Sequence, residues 1–206
     1  MTDRIHTLRK EILEGNAPVP FPKGEYSVIL VDPPWHYELR DGDATHRNRV
    51  GYPTMMPEDI LELPVETIAA KQSYLFLWVT TQHIELGLQC MRRWGFEYKT
   101  THTWVKTNNV GDRIRFGVGH WGRNCTEFIL IGAKGQPPAF STLGIRDVAT
   151  AFFAPRGEHS SKPDFPMLVR LNEVLRFDPK IELFARRERD GWDTWGLEAP
   201  KSDMPL

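Results

Sequence analysis

One stretch constrains this chain more than any other: Tyr26-Ser27-Val28-Ile29-Leu30-Val31 passes without a spacer into Asp32-Pro33-Pro34-Trp35. An apolar run this short and unbroken, rich in β-branched residues, reads as a strand buried on both faces of a parallel sheet. The two prolines remove two backbone donors and bias Asp32 and Pro33 away from helical angles, so the chain must turn there. The strand therefore ends on a carboxylate, a rigid turn and an aromatic ring within a few residues.

The remaining pattern alternates strands with helices. Residues 1–24 hold a helix-like run (Ile5, Leu8, Ile12, Leu13) and a proline-rich linker (Pro18, Pro20, Pro22); they read as an extension lying on the surface, with 25–206 as the domain. Residues 36–54 are polar, highly charged and longer than most connections, which marks a functional or mobile segment. Pro57-Glu58-Asp59 suits a helix start and Pro64 ends that helix. Tyr74 to Val79 reads as a second buried strand, and Gln82 to Trp94 as a helix with Ile84, Leu88 and Met91 on one face and Gly95 as its stop. Phe96–Lys106, Thr126–Gly132 and, more weakly, Val148–Ala154 read as strands. Pro163 is expected to open a helix carrying Leu168, Leu171 and Leu175, and Lys180 to Arg186 to form the last strand. The fold expected is α/β, a mostly parallel twisted sheet with helices on both faces and active residues at strand ends.

Composition removes several function classes. The 206 residues suit one core, and no apolar run approaches the roughly 20 residues of a membrane span. Met1 to Pro20 lacks the apolar stretch of a secretory signal, so a cytoplasmic location away from membranes is expected. Cys90 and Cys125 are too few for a disulfide framework, and histidines at 6, 36, 46, 83, 102, 120 and 159 have no paired ligand spacing, so reduced thiols and no metal are expected. With 26 basic and 27 acidic residues, a nucleic acid would have to be met by a local patch. From Lys99 to Arg123 the only acid is Asp112, while Lys106, Arg113, Arg115, His120 and Trp121 combine charge with aromatic surface, as a polynucleotide grip would. The competing reading is a solvated connection whose arginines bridge to surface acids.

The tetrad suits a planar amine. The exocyclic amine of adenine is a poor nucleophile because its lone pair is delocalised into the ring. Two acceptors, the Asp32 carboxylate and the Pro33 carbonyl, can take its two hydrogens and aim the lone pair at an electrophilic carbon, with Trp35 stacked on the ring. Rate enhancement then comes from orientation and from stabilising positive charge on nitrogen rather than from a strong base. The alternative is a stiff strand-to-loop transition with a core tryptophan; an Asp-Pro pair alone would favour it, whereas all four residues together favour function.

The tetrad and an ordered set of later segments resemble the MT-A70-like family of adenine N(6) methyltransferases. The segments are Tyr52-Pro53-Thr54-Met55, Leu75-Phe76-Leu77-Trp78-Val79-Thr80, Trp94-Gly95-Phe96, Trp104-Val105-Lys106, Gly119-His120-Trp121, Thr126-Glu127, Ser161-Lys162-Pro163-Asp164 and Ile181-Glu182-Leu183-Phe184-Ala185-Arg186, spanning roughly residues 26 to 198. The resemblance implies a Rossmann-like methyltransferase fold with permuted motif order and S-adenosylmethionine as cofactor. It makes Asp32, Pro33, Pro34 and Trp35 the catalytic turn, with Asp32 also facing the cofactor, and Tyr52 a substrate-loop aromatic. It assigns Lys162 to the cofactor carboxylate and Arg186 with Leu197 and Glu198 to its ribose. Two positions depart from the family pattern: Gly196-Leu197-Glu198 lacks the usual side-chain amide after the glycine, and Phe165 stands where an acid is usual. Each bears on cofactor affinity, by about 1–3 kcal/mol for a hydrogen bond lost without replacement.

The activity expected from these readings is S-adenosylmethionine-dependent methylation of the 6-amino group of adenine in nucleic acid, DNA favoured over RNA. The alternatives are an RNA adenosine methyltransferase, or a weak or inactive nucleic-acid-binding partner subunit that keeps the fold; homodimer and heterodimer both stay open.

Overall fold

The computed structural model describes residues 2–15, 17, 19–37, 53–117, 121–157, 162–176 and 178–199. Along the chain run α1 (Thr2–Leu13), β1 (Tyr26–Val31), α2 (Pro57–Leu61), β2 (Ala69–Val79), α3 (Ile84–Arg93), β3 (Glu97–Thr107), β4 (Thr126–Lys134), β5 (Ala151–Pro155), α4 (Pro166–Val174), β6 (Lys180–Leu183) and β7 (Asp193–Trp195). The strands form one seven-stranded sheet in the order β5-β3-β4-β2-β1-β6-β7. β4 runs antiparallel to both β2 and β3, and the other pairs are parallel. The α/β, mostly parallel arrangement expected from the sequence is therefore the one observed.

Each central strand feeds two cores because successive side chains point to opposite faces. Ile29 and Val31 of β1 join Leu75, Leu77 and Val79 of β2 in a cluster with Ile60, Cys90, Met91 and Trp94 from α2, α3 and the turn after α3. Val28 and Leu30 join Phe76, Trp78, Trp104, Phe165, Leu168 and Leu171 on the α4 side. Helices thus cover both faces, which is why β1 and β2 read as unbroken apolar runs.

Several boundaries differ from expectation, each for a local reason. β2 begins at Ala69 rather than Tyr74, because Ala69 pairs with Tyr26 at the start of β1, and an irregularity in the register separates that pairing from the buried run. The segment Gln82–Trp94 opens with a 3-10 turn, Thr81–His83, and becomes α-helical only at Ile84. β5 is shifted to Ala151–Pro155 and lies at the sheet edge, with Phe152 inward and Phe153 exposed. α4 opens at Pro166, not Pro163: Phe165 holds extended angles to place its ring, 0% exposed, among Phe76, Trp78 and Phe152. The last long strand stops at Leu183 because Phe184 adopts φ 62°, a left-handed angle that turns the chain. β7 then follows, unforeseen, since three residues carry no readable period; Tyr26 Oη donates to Asp193 Oδ2 at 2.7 Å to hold it.

The N-terminal segment is not merely laid on the surface. Ile12 and Phe21 are buried in the helical-face core, Phe21 meets Trp195 edge-on at 5.1 Å, and Trp195 Nε1 donates to the Pro20 carbonyl. Arg9 donates to the Glu62 carbonyl at 3.1 Å and pairs with Glu66, fastening α1 to the end of α2.

Candidate active site

The parallel strands end along one edge of the sheet, and the antiparallel β4 begins there. Asp32 follows β1, Lys106 closes β3, Glu127 opens β4, and Arg186 and Glu198 follow β6 and β7. This is where open α/β sheets bind ligands. Side-chain alternation sends Asp32 to the α4 face, where Lys162 arrives on the extended segment before α4.

These residues form one chain of charges. Lys162 Nζ lies 3.4 Å from Asp32 Oδ1 and 2.6 Å from Glu127 Oε2, while Lys106 Nζ reaches Glu127 Oε1 at 2.5 Å. All four are largely buried, and two cations balance two anions. Lys162 also sits over the Trp78 ring at 5.6 Å and Lys106 over Trp104 at 5.3 Å. Arg186 Nε stands 3.6 Å from Glu198 Oε2.

The carboxylates respond oppositely to this setting. Burial pushes the Asp32 carboxyl up, the Glu127 charge adds to that, and Lys162 and Arg186 offset only part, leaving it at about 6. For Glu127 burial also acts upward, but Lys162 and Lys106 together hold it below the usual range. Burial alone would lower Lys162; Asp32 and Glu127 instead keep it firmly charged.

The turn itself is rigid. Pro33 O accepts the Trp35 N–H at 2.8 Å, closing a three-residue turn, and Pro34 O accepts the Met55 N–H at 2.9 Å. A carbonyl oxygen has two acceptor directions, so Pro33 O retains one. Trp35 departs from expectation: it is 4% exposed, its Nε1 donates to the Trp78 carbonyl at 3.0 Å, and its ring stacks on His83 at 5.1 Å. It is a core residue that stiffens the turn, not a platform for a base. The sequence shows an aromatic at this position but not the face it takes.

The other expected site residues divide. Lys106 belongs to the buried charge chain, because Glu127 and the Trp104 face draw it from the solvent patch. Arg113 and Arg115 are exposed on the β3–β4 connection, and among the described residues neither makes an ion pair; Asp112 is instead bonded by Asn108 Nδ2 at 2.7 Å. Trp121 is fully exposed, and Arg123 lies 5.8 Å from the Phe116 ring. Leu197 is 79% exposed beside Glu198. Tyr52 and His120 lie outside the described residues. Glu127 carries no role in the sequence reading, although an acid opening an otherwise apolar strand is the signal that marks it.

The sequence profile described as MT-A70 matches residues 26–198, which contain the whole charge chain and the turn. The chain belongs to the MT-A70 family. Among its relatives, the Type II methyltransferase M.MunI of a Mycoplasma species is 31% identical over 201 residues, covering 90% of this chain and 82% of the relative. The rice protein named probable N(6)-adenosine-methyltransferase MT-A70-like is 36% identical over 181 residues. The human N(6)-adenosine-methyltransferase catalytic subunit METTL3 is 35% identical over 182 residues. Both alignments cover 84% of the MT-A70 chain, but only 23% of the rice and 28% of the human protein. The Phe165 departure has its reason in the fold, since that side chain belongs to the core and not to the charged edge.

Proposed function

We propose that this MT-A70 methyltransferase acts in the cytoplasm on the 6-amino group of adenine in DNA, with S-adenosylmethionine as methyl donor. The observation that carries the reading is the convergence of Asp32, Lys162, Arg186 and Glu198 on one sheet edge beside a turn whose carbonyls are fixed. That donor set fits the cofactor: an ammonium has three hydrogens, Glu127 and Asp32 engage two of those on Lys162, and the third suits a carboxylate, while Glu198 offers acceptors for ribose hydroxyls. Bound there, S-adenosylmethionine supplies an electrophilic methyl carbon. Asp32 and the Pro33 carbonyl would hold the amine hydrogens and orient its lone pair. As the N–C bond forms and the C–S bond breaks, the positive charge passes from sulfur to nitrogen, where the Asp32 carboxylate would offset it and take the surplus amine proton on its way to solvent. Stacking on the base is assigned to residues other than Trp35, with Tyr52 the candidate from the 38–52 segment.

DNA is favoured because the ribonucleoside is named in relatives of which this chain spans about a quarter, and not in the relative that it spans over 82%. Incubation with methyl-labelled cofactor and matched DNA and RNA pools, followed by nucleoside mass spectrometry, tests this. N(6)-methyl-2′-deoxyadenosine is the expected product; label only in RNA would reassign the polymer, and label in neither would remove the activity.

Two further outcomes are expected. Asp32 can balance positive charge on the amine nitrogen only as a carboxylate, so kcat/KM should rise with pH through a midpoint near 6 and level off above it, tracking Asp32. A profile flat from pH 5 to 8 would separate Asp32 from the rate. The exposed Arg113 and Arg115 should contribute to polynucleotide affinity, so their joint replacement by alanine should reduce the slope of log affinity against log salt by about 1.5. An unchanged slope would place the phosphate contacts elsewhere.

A further inference from the structure

His83 is one of the few buried polar side chains, 8% exposed, at the end of the 3-10 turn between β2 and α3. It is not part of the charge chain, yet among the described residues its side-chain interactions run to the segment that follows Asp32 or to the β2 end beside it. Its ring stacks on Trp35 at 5.1 Å with 15° between planes, and Tyr37 meets it edge-on at 4.9 Å. Its Nε2 lies 2.9 Å from the His36 carbonyl, and its Nδ1 lies 2.7 Å from Thr80 Oγ1. A carbonyl only accepts, so Nε2 must carry a hydrogen. In a neutral ring Nδ1 is then bare and accepts from the Thr80 hydroxyl. Burial holds the ring's proton affinity below its ordinary value, the His36 carbonyl and the His36 side chain acting in opposite directions upon it, so neutral is the form at working pH.

The contacts extend one step further. His36 Nδ1 lies 3.1 Å from Thr54 Oγ1, so the stretch immediately after the turn is tied to the stretch before α2. The clamp therefore fixes both flanks of the 38–52 segment as well as the ring next to the Pro33 carbonyl. We propose that His83 is a positioning residue for methyl transfer: as the Nε2–H tautomer bonded between Thr80 and the His36 carbonyl, it locks the Asp32–Trp35 turn in the orientation the amine requires. The inference rests on the reading of that turn as the catalytic one. Small displacements at such a site are expensive, since a misplacement of about 1 Å costs about 10²-fold in rate.

The test separates packing from polarity. His83→Phe keeps a flat ring against Trp35 and Tyr37 but removes both hydrogen bonds, and His83→Gln restores a donor for the His36 carbonyl without the ring. His83→Phe is expected to lower kcat by about 10–10²-fold with KM for S-adenosylmethionine within about twofold of the parent, because Lys162, Arg186 and Glu198 are untouched. His83→Gln is expected to recover most of that loss. A lowered melting temperature with unchanged kcat per folded molecule, or kcat in His83→Gln as low as in His83→Phe, would overturn the assignment. In the unmodified chain, imidazole nitrogen NMR should show His83 as the neutral Nε2–H tautomer at pH 7, and the other tautomer would also overturn it. That spectrum needs no substrate. Failure of the methyltransferase reading, seen as an inactive parent chain, is thereby distinguished from failure of the clamp.

Discussion

Asp32→Asn is expected to lower methyl transfer by about 10²–10³-fold while raising the melting temperature at pH 8. The amide keeps the shape of the side chain but removes the charge that accepts amine hydrogens and balances the developing cation. The stability gain follows from linkage. Asp32 has a folded-state value near 6, above the ordinary 3.8, so the carboxylate weighs against the folded state once it ionises. Its contribution is fully favourable below about pH 4, where the acid is protonated in both states, and is lost as pH rises through 6. A shift of this size corresponds to about 3 kcal/mol, and with the side chain 23% exposed about 1–3 kcal/mol is expected at pH 8. At about 2–4 °C per kcal/mol the difference is resolvable in a thermal melt, and it should vanish near pH 4. An Asn variant that is both inactive and less stable at pH 8 would mean that Asp32 is chiefly a structural partner of Lys162.

Lys162→Met is expected to damage stability and cofactor recognition together. It leaves two buried carboxylates, Glu127 with Lys106 and Asp32 with only the more remote charge of Arg186, and breaking such a cluster costs about 3–5 kcal/mol. It also removes the donor assigned to the cofactor carboxylate; a charge-assisted hydrogen bond of about 1.5–3 kcal/mol corresponds to roughly a 10–150-fold rise in KM for S-adenosylmethionine. Because Lys162 is the strongest influence holding Asp32 down, the pH midpoint of the rate should move above 6. Adding Glu127→Gln should return part of the lost stability, seen in urea melts, without returning cofactor affinity. A KM that recovers with stability would take Lys162 out of the cofactor site.

The sequence carried the sheet and the turn because their signals are local. Val28 to Val31 and Leu75 to Val79 are buried on both faces and show it as unbroken apolar runs, and two prolines after Asp32 dictate a turn in any context. What escaped depended on contacts between distant residues. Trp35 could be recognised as an aromatic next to a carboxylate, but its burial is decided by Trp78 and His83, each more than forty positions away. Lys106 looked like part of a basic stripe until Glu127, across the β3–β4 pair, claimed its ammonium. Pro163 carries every local mark of a helix start, yet ring packing against Phe76, Trp78 and Phe152 holds Phe165 inward and delays α4 to Pro166. Glu127 and His83 had only weak signals, a charge opening a buried strand and a histidine among seven. Their neighbours give them their roles.

The reversed direction of β4 has an evolutionary consequence. Since β3 and β4 are joined across the reacting edge by a hairpin-like excursion, the connection between Thr107 and Thr126 can be lengthened, shortened or exchanged without re-registering any strand. Its tips carry Arg113, Arg115 and Trp121, while its two anchors keep Lys106 and Glu127 in place. On the proposed reading of Arg113, Arg115 and Trp121 as target-binding residues, a change of target preference would be confined to that one connection and would leave the buried charge chain in place.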